Sequence, residues 1–343
     1  MFRRLFFVLP FVVLAGCAQA PQNSAPPQGA PVVVSNAVAP APGKQSGERQ
    51  LPTDDLGRVV NLKAVPQRIV TIGPGATEMI FALGAGARLV GRDSGSDYPP
   101  GQRPRGVRGI SVVGDFNGPF VESTVAARPD LIIVQGETYG RARIDDWQKK
   151  TGVPVAALSA TSVDGVADGI KKVGAWIDAA APAQNLASRL YLHRKEPRPG
   201  VTAFFEVGRK PLWTAGRDSL IDDILVRAGF TNAARDVAGY KQYNLESLLA
   251  RQPNLYIVTS SRLKTALDIR SGLEAERARV LAALRREPAL KGLKAIQAGR
   301  VLVVPGDWAL RPGPRIYGAI QTLAEQAASL EKPTAAGAPK NRI

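Results

Sequence analysis

Two segments of this chain are nearly the same: residues Glu122 to Val134 read ESTVAARPDLIIV, and residues Glu246 to Val258 read ESLLARQPNLYIV. Each copy has the pattern of a short amphipathic helix, a proline, and then an apolar run that is typical of a buried parallel strand. Phe116 and Tyr240 stand at the same distance before the two glutamates. The repeat predicts two lobes of like design, and a cleft between two lobes is a usual place for a ligand.

The composition excludes several classes of function. The 343 residues carry a net charge of +16, but the chain has no basic-plus-aromatic ladder and no nucleic-acid motif. The single histidine, His193, and the single cysteine, Cys17, cannot assemble a zinc site or a Ser-His-Asp set. The glycine-rich loop GPGATE at residues 73–78 is neither a Walker loop nor GxGxxG. The sequence therefore predicts no enzyme, no bound cofactor, no metal site and no nucleic-acid partner.

The N-terminus predicts an exported, lipid-anchored protein. Residues 1–17 hold Arg3 and Arg4, then an apolar stretch too short to span a bilayer, and end in LAGC. This pattern resembles a bacterial lipoprotein signal in which Cys17 is lipidated and anchors the chain to the membrane in the periplasm. Residues 18–52 have the composition of a flexible tether, and residues 331–343 form a polar tail.

Strand and helix patterns alternate between these ends, which predicts an α/β fold with parallel sheets and covering helices. The first lobe covers residues 53–160 and opens with RIVTIG followed by GPGATEMIFALGAG. Residues 161–196 read as one connecting helix interrupted at Pro182. The second lobe covers residues 197–330 and opens with VTAFFEVG.

A family resemblance supports this organisation. RIVTIGPGATEMIFALGAG, SDYPP, PLWTAGRDSLIDDIL and GDWALRPGPRI, taken in this order, resemble segments of the ABC-transporter substrate-binding proteins that serve cobalamin, ferric siderophores and haem. The resemblance implies two Rossmann-like lobes joined by a connecting α-helix, with a ligand cleft between the lobes. A helix between the lobes, in place of loose strands, predicts only small closure on binding. The closest likeness is to cobalamin-binding members.

The resemblance further implies which residues bind the ligand. Tyr98 falls where the family places a tyrosine against the corrin ring, and Phe116 and Tyr240 fall where it has tryptophans. Trp213 matches another aromatic that packs on the ligand, as flat macrocycles favour. Asp307 and Arg311 match a charged pair at the cleft rim. The expected set is completed by the backbone turn at Gly75 and by the residues between the charged pair, namely Trp308, Ala309 and Leu310.

Glu122 and Glu246 match the two glutamates, one per lobe, with which such receptors dock onto arginines of the membrane permease dimer. Each stands in the first turn of its predicted helix, where a carboxylate is also favourable for the helix dipole. The expected partners are therefore the permease dimer, the membrane through the lipid, and a small ligand that carries cobalt or iron. The protein itself is predicted to be a monomer.

Three alternatives remain open at this point. Four arginines near the cleft-forming loops, Arg92, Arg141, Arg143 and Arg217, could clamp an anionic ferric siderophore. Haem could bind with Tyr98 or Tyr139 as the iron ligand. The last alternative is another class of protein, either an α/β enzyme or a structural lipoprotein without a small ligand. Cobalamin or a related corrinoid is the first choice and a ferric siderophore the second.

Overall fold

The computed structural model describes residues 51–136, 139–191 and 200–331. Cys17, His193, the signal segment and the tail beyond residue 331 lie outside the described residues, as does all of the predicted tether except Leu51 and Pro52. Leu51 packs against the core, and the Pro52 carbonyl accepts a 3.0 Å hydrogen bond from the Trp176 indole. The folded part therefore begins before residue 53. No helix among the described residues is both long and apolar enough to cross a membrane.

The first lobe is a six-stranded sheet with helices on both faces. The strands run in the order β4-β3-β2-β1-β5-β6, and all neighbours are parallel except β3 and β4. The strands are β1 (Ile69–Ile72), β2 (Leu89–Asp93), β3 (Ser111–Asp115), β4 (Gly118–Pro119), β5 (Leu131–Gln135) and β6 (Val155–Leu158). The helices are α1 (Pro74–Ala82), α2 (Val121–Ala126) and α3 (Arg141–Thr151).

The second lobe has the same design with more antiparallel pairing. Its sheet runs β10-β8-β7-β11-β12, with β9 beside β7, and β8 is antiparallel to both neighbours. The strands are β7 (Thr202–Arg209), β8 (Leu212–Ala215), β9 (Thr231–Asn232), β10 (Tyr240–Gln242), β11 (Leu255–Ser260) and β12 (Val301–Pro305). The helices are α6 (Leu220–Arg227), α7 (Leu245–Arg251), α8 (Ala266–Arg286), α9 (Lys294–Gln297), α10 (Gly306–Ala309) and α11 (Ile316–Glu331).

The predicted two-lobed α/β architecture is confirmed, and the repeated segment forms the same unit in both lobes. It folds as α2 and β5 in the first lobe and as α7 and β11 in the second. Arg128 and Gln252, at equivalent positions, both take left-handed backbone angles, with φ of 48° and 46°. Each turns the chain sharply from helix to strand just before a proline. The sheets are parallel as predicted except at β4, β8 and β10: short hairpins make β4 antiparallel to β3 and β8 antiparallel to β7, and β10 pairs antiparallel with β8.

The connection between the lobes is a pair of helices, so the prediction of one helix interrupted at Pro182 was wrong. The two helices are α4 (Val163–Trp176) and α5 (Ala180–Tyr191), and the break falls at Asp178, whose φ is 62°. Pro182 lies in the first turn of α5, where a missing N–H costs no helical hydrogen bond. Gly174 allows the two helices to touch, since a Cβ there would lie 2.2 Å from that of Ala183.

Both lobes share one hydrophobic core through this helix pair. Apolar side chains of α4 and α5 pack in one cluster with Met79 of the first lobe and Phe205 of the second. Arg88 of the first lobe donates a 2.8 Å hydrogen bond to the Ile177 carbonyl. Arg227 of the second lobe lies 2.8 Å from the Asp164 carboxylate. The connector is therefore packed and bonded to both lobes rather than being a free hinge.

Candidate ligand-binding site

The carboxyl ends of the parallel strands carry the loops that meet between the lobes. Asp97 and Tyr98 follow β2, Gln135 ends β5, and the segment from Gly306 to Arg315 follows β12. Ligands of open parallel sheets bind outside these ends of the strands. The two lobes touch here, and each contact joins a first-lobe residue to the segment after β12.

The first contact is a charged cluster around Arg311. Its guanidinium lies 2.6 Å from the Asp97 carboxylate of the first lobe and 2.9 Å from Asp307 of its own lobe. Partial burial of Asp97 would raise the pKa of its carboxyl, but the hydrogen bond and charge of Arg311 outweigh this effect and lower it. The predicted Asp307–Arg311 pair is therefore present, with Asp97 as an additional partner across the cleft.

The second contact is a buried ion pair. Arg315 binds the Glu78 carboxylate of α1 with two hydrogen bonds of 2.8 and 2.5 Å. Its guanidinium also stacks 4.0 Å from the centre of the Tyr98 ring, which is a cation–π distance. Burial raises the pKa of Glu78, and the bond to Arg315 opposes this rise.

The third contact joins the two backbones. The Gln135 side chain accepts a 2.9 Å hydrogen bond from the Ala76 amide and donates one of 2.7 Å to the Pro312 carbonyl. A Cβ on Gly75 would lie 2.3 Å from that same carbonyl. Gly75, which was predicted to bring backbone close to a ligand, thus packs against the second lobe in this structure.

A buried polar network holds the Asp97–Tyr98 loop in place. The Asp93 carboxylate accepts hydrogen bonds from the Gly73 and Gly95 amides, at 2.9 and 3.0 Å, and from the Ser96 hydroxyl. Ser96 in turn lies 2.8 Å from the Thr77 hydroxyl at the start of α1. Asp93 therefore ties the turns after β1 and β2 together, and this fixes the first-lobe side of the Arg311 cluster.

A cavity of about 460 Å³ opens beside the Arg311 cluster, within the size range of small-molecule sites. It combines hydroxyls, two carboxylates, two cations and an apolar side. Its lining is Asp97 from the first lobe and, from the second, Thr259, Ser260, Ser261, Leu263, Lys264, Gly306, Asp307, Leu310 and Arg311. Three of the predicted binding residues, Asp307, Leu310 and Arg311, line it.

Two other predicted binding residues lie in the core of the second lobe instead. Trp308 is 9% exposed and Ala309 is 0% exposed. The Trp308 ring packs over Gly318 of α11, and its indole donates a 3.3 Å hydrogen bond to the Lys264 carbonyl. The short helix α10 turns these two side chains inward while Asp307, Leu310 and Arg311 face the cavity.

The predicted aromatic residues are distributed over both lobes. Phe116 is 82% exposed in the turn after β3, and Trp213 is 40% exposed on β8. Tyr240 is half-buried on β10, opposite Ala215 and therefore on the same sheet face as Trp213. None of the three lines the 460 Å³ cavity, and the Tyr98 ring is covered on one side by Arg315.

The alternative iron ligand Tyr139 is engaged elsewhere. It is 7% exposed, its hydroxyl donates a 2.5 Å hydrogen bond to the Phe116 carbonyl, and burial raises its pKa. Arg143 bonds the Asn117 carbonyl and stacks over Trp147 at 5.0 Å. Together they hold the turn that displays Phe116.

The other arginines of the alternative clamp also contact nearby backbone. Arg92 donates to the Asp93 carbonyl, Arg141 to that of Leu56, and Arg217 to those of Arg235 and Asp236. A second cavity, of about 520 Å³, lies against α4, and none of these four arginines lines it. Its charged residues pair with one another, Lys172 with Asp55 and Lys171 with Asp168.

Sequence reasoning missed Glu78, Arg315 and Lys264. Glu78 and Arg315 are 237 residues apart, and both lie in segments that carry the family resemblance without having been singled out as binding residues. The described residues contain no group of three or more His, Cys, Asp or Glu side chains that could hold a metal ion.

Comparisons with known proteins agree with this architecture. A family described as "periplasmic binding protein" matches residues 69–307. The vitamin B12-binding protein of Salmonella choleraesuis (strain SC-B67) is 30% identical over 208 residues, which are 57% of this chain and 73% of that protein. An ABC transporter substrate-binding lipoprotein of Bacillus subtilis (strain 168) is 25% identical over 284 residues, covering 79% of this chain and 83% of that one.

The solved structure of a periplasmic heme-binding protein from Pseudomonas aeruginosa matches with a TM-score of 0.59 at 27% identity, covering 78% of this chain and 94% of that one. These relatives are substrate-binding proteins and not enzymes, in agreement with the prediction. The chain therefore belongs to the periplasmic binding proteins, a family of extracytoplasmic receptors for small ligands.

Proposed function

We propose that this protein is the substrate-binding lipoprotein of an ABC importer and captures a metal chelate between its two lobes. A corrinoid such as cobalamin is the first choice, with a ferric siderophore or haem as the alternative. The observation that carries the proposal is the cavity beside Arg311, at the point where the strand ends of the two lobes face each other.

The charges at the cavity favour a ligand without a large net charge. Asp97 and Asp307 balance Arg311 and Lys264, so the lining carries no excess of positive charge. A polyanionic chelate would need such an excess, because charge-assisted bonds supply most of its binding. The hydroxyls of Thr259, Ser260 and Ser261 suit the amide-rich periphery of a corrinoid.

The haem alternative is supported by the likeness to a heme-binding protein. It requires an iron ligand, and among the two tyrosines considered, the Tyr139 hydroxyl already bonds the Phe116 carbonyl. Tyr98 would have to supply the ligand from beneath the Arg315 guanidinium. The present geometry therefore suits a corrinoid better than haem.

Delivery to a permease dimer is proposed from the two glutamates. Glu122 and Glu246 are both exposed and occupy the second residue of α2 and of α7. Both helices begin at the carboxyl edge of their sheets, which is the edge that carries the site. Exposed charges of this kind set the register and the rate of docking more than its affinity.

The lipid anchor on Cys17 and monomeric behaviour complete the proposal. Cys17 lies outside the described residues, so the anchor is supported by the LAGC motif and by the relative named a lipoprotein. Phe116, Trp213, Tyr240 and Tyr98 are proposed to contact parts of the chelate that extend beyond the cavity. Gly75, Trp308 and Ala309 then act by supporting the site rather than by touching the ligand.

The test is a titration of the purified protein with cyanocobalamin, haemin and a ferric siderophore, followed by intrinsic tryptophan fluorescence. One of the three probes should bind saturably with one site per chain. Arg311→Ala should weaken this binding at least about tenfold, as expected when a hydrogen bond from a charged group is lost. The matched control Arg189→Ala, an exposed arginine on α5, should leave it unchanged. Absence of saturable binding by all three probes would rule the proposal out.

A further inference from the structure

Among the described residues, two ion pairs cross between the lobes, and they differ sharply in burial. In the Glu78–Arg315 pair, the side chains are 3% and 12% exposed, and the contact has two hydrogen bonds. In the Asp97–Arg311 pair, the Asp97 side chain is 55% exposed and the Arg311 side chain 19%. One pair is therefore shielded from water, whereas the other lies at the edge of the cavity.

This difference in burial implies that the two ion pairs separate with different free-energy costs. Separating a buried ion pair leaves charges without solvent or partner, which shifts an equilibrium by more than about a hundredfold. Separating an ion pair that has an exposed partner shifts the equilibrium between the paired and the separated state by only about fivefold or less. The Asp97–Arg311 pair can therefore open and close readily while the Glu78–Arg315 pair stays formed.

Close packing surrounds the buried pair. A Cβ on Gly313 would lie 3.1 Å from the Gly75 Cα, and the Gln135 amide bonds the adjacent Pro312 carbonyl. Arg315 also stacks on the Tyr98 ring. Backbone, ion pair and ring thus meet at one point between the lobes, and this point lies next to the shared core.

The Arg311 guanidinium also pairs with a second carboxylate, which belongs to its own lobe. Asp307 lies on α10 of the same lobe, four residues before Arg311. If Asp97 moves away, Arg311 remains paired with Asp307 and keeps donors to offer to a ligand in the cavity. Opening at Asp97 therefore leaves no isolated charge.

We infer that Glu78 and Arg315 form a fixed pivot between the lobes, and that Asp97 and Arg311 form a latch that must open before a ligand larger than the present cavity can enter. Arg311 then exchanges its bond to Asp97 for a hydrogen-bond acceptor of the ligand. Arg315 is a positioning residue, since it holds the Tyr98 ring and the inter-lobe angle without lining the cavity. The ligand step rests on the proposed function, whereas the pivot and the latch do not.

The experiment measures the distance between the lobes without any ligand. Spin labels are placed at Ala126→Cys and Ala250→Cys, two exposed positions that are equivalent in the repeated segment. The background is the full chain with Cys17→Ser, which removes the only native cysteine. Electron–electron double resonance then gives the distance distribution.

Asp97→Asn should broaden the distribution and move it to longer distances, with little change in melting temperature. Asp307→Asn is the matched control, because it removes the other carboxylate of Arg311 but breaks no contact between the lobes. It should give the parent distribution. E78Q/R315M removes the buried pair without leaving a charge, and it should broaden the distribution because the two side chains no longer hold the lobes at one angle.

An unchanged distribution in Asp97→Asn, or equal shifts in Asp97→Asn and Asp307→Asn, would refute the latch. A parent-like distribution in E78Q/R315M would refute the pivot. If E78Q/R315M does not fold, the conservative variant Arg315→Lys takes its place under the same criteria. Because no ligand is present, these outcomes are independent of whether any of the proposed chelates binds.

Discussion

Substituting Gly75 by alanine tests the packing between the lobes through the sign of its effect on stability. Gly75 lies in the first turn of α1, and alanine is favoured over glycine in a helix by about 0.5–1 kcal/mol. In this structure, however, the new methyl group would lie 2.3 Å from the Pro312 carbonyl oxygen and 2.4 Å from the Gln135 side-chain oxygen. The Pro312 oxygen accepts a hydrogen bond from the Gln135 side-chain nitrogen, and the Gln135 oxygen accepts one from the Ala76 amide, so neither can move at low cost.

We therefore expect Gly75→Ala to destabilise the protein, because forcing extra atoms into a packed site typically costs about 1–3 kcal/mol. The matched control is Gly169→Ala in α4, where the nearest atoms to the added methyl group are 3.7 and 3.8 Å away. That substitution should stabilise the protein by about 0.5–1 kcal/mol. Urea unfolding followed by circular dichroism gives both values. A Gly75→Ala protein as stable as the parent, or more stable, would show that the segment around Pro312 does not pack on α1.

Three further predictions follow from the site and the charges. Trp213 is the only exposed tryptophan of the four. Trp213→Phe should therefore remove most of the fluorescence change on ligand binding. Unchanged quenching in this variant would place the ligand elsewhere. The bond from Arg279 holds the pKa of Glu276 at about 2, below 4.5; the stability it gives is therefore present above pH 4.5 and lost as the pH falls towards 2. In thermal unfolding at several pH values, the melting temperature of Glu276→Gln should fall less below pH 4.5 than that of the parent protein. The same fall in both proteins would contradict this assignment. Replacing Glu122 and Glu246 together by glutamine should lower uptake of the ligand by cells at least about tenfold. The dissociation constant of the purified protein for the ligand should stay the same. Lost binding would contradict the docking role.

The repeated segment was enough to predict the two lobes because its signals are local. The alternation of an amphipathic helix, a proline and an apolar run specifies each helix–strand unit without reference to the rest of the chain. The structure adds that the turn before the proline is left-handed in both copies, at Arg128 and Gln252. Neither residue is a glycine, so the usual sequence signal for this conformation was missing.

The parts of the site that could not be predicted depend on tertiary contacts. Trp308 and Asp307 are adjacent in sequence, and only the position of α10 decides that the ring is buried while the carboxylate faces the cavity. The Glu78–Arg315 pair joins the two ends of the folded region, and charge alone does not identify its partners among so many arginines. Asp178 ends α4 in a left-handed conformation that neither Gly nor Pro signals, so the break was assigned to Pro182 instead.

The proposed function requires a metal chelate to bind between the lobes beside Arg311. The most direct measurement is the anomalous diffraction signal of cobalt or iron in crystals grown with whichever probe binds. We predict one peak per chain in the space between Leu310, Lys264 and Tyr98. A peak on the outer surface of either lobe, or on the α4 face that carries Lys171, would contradict the account.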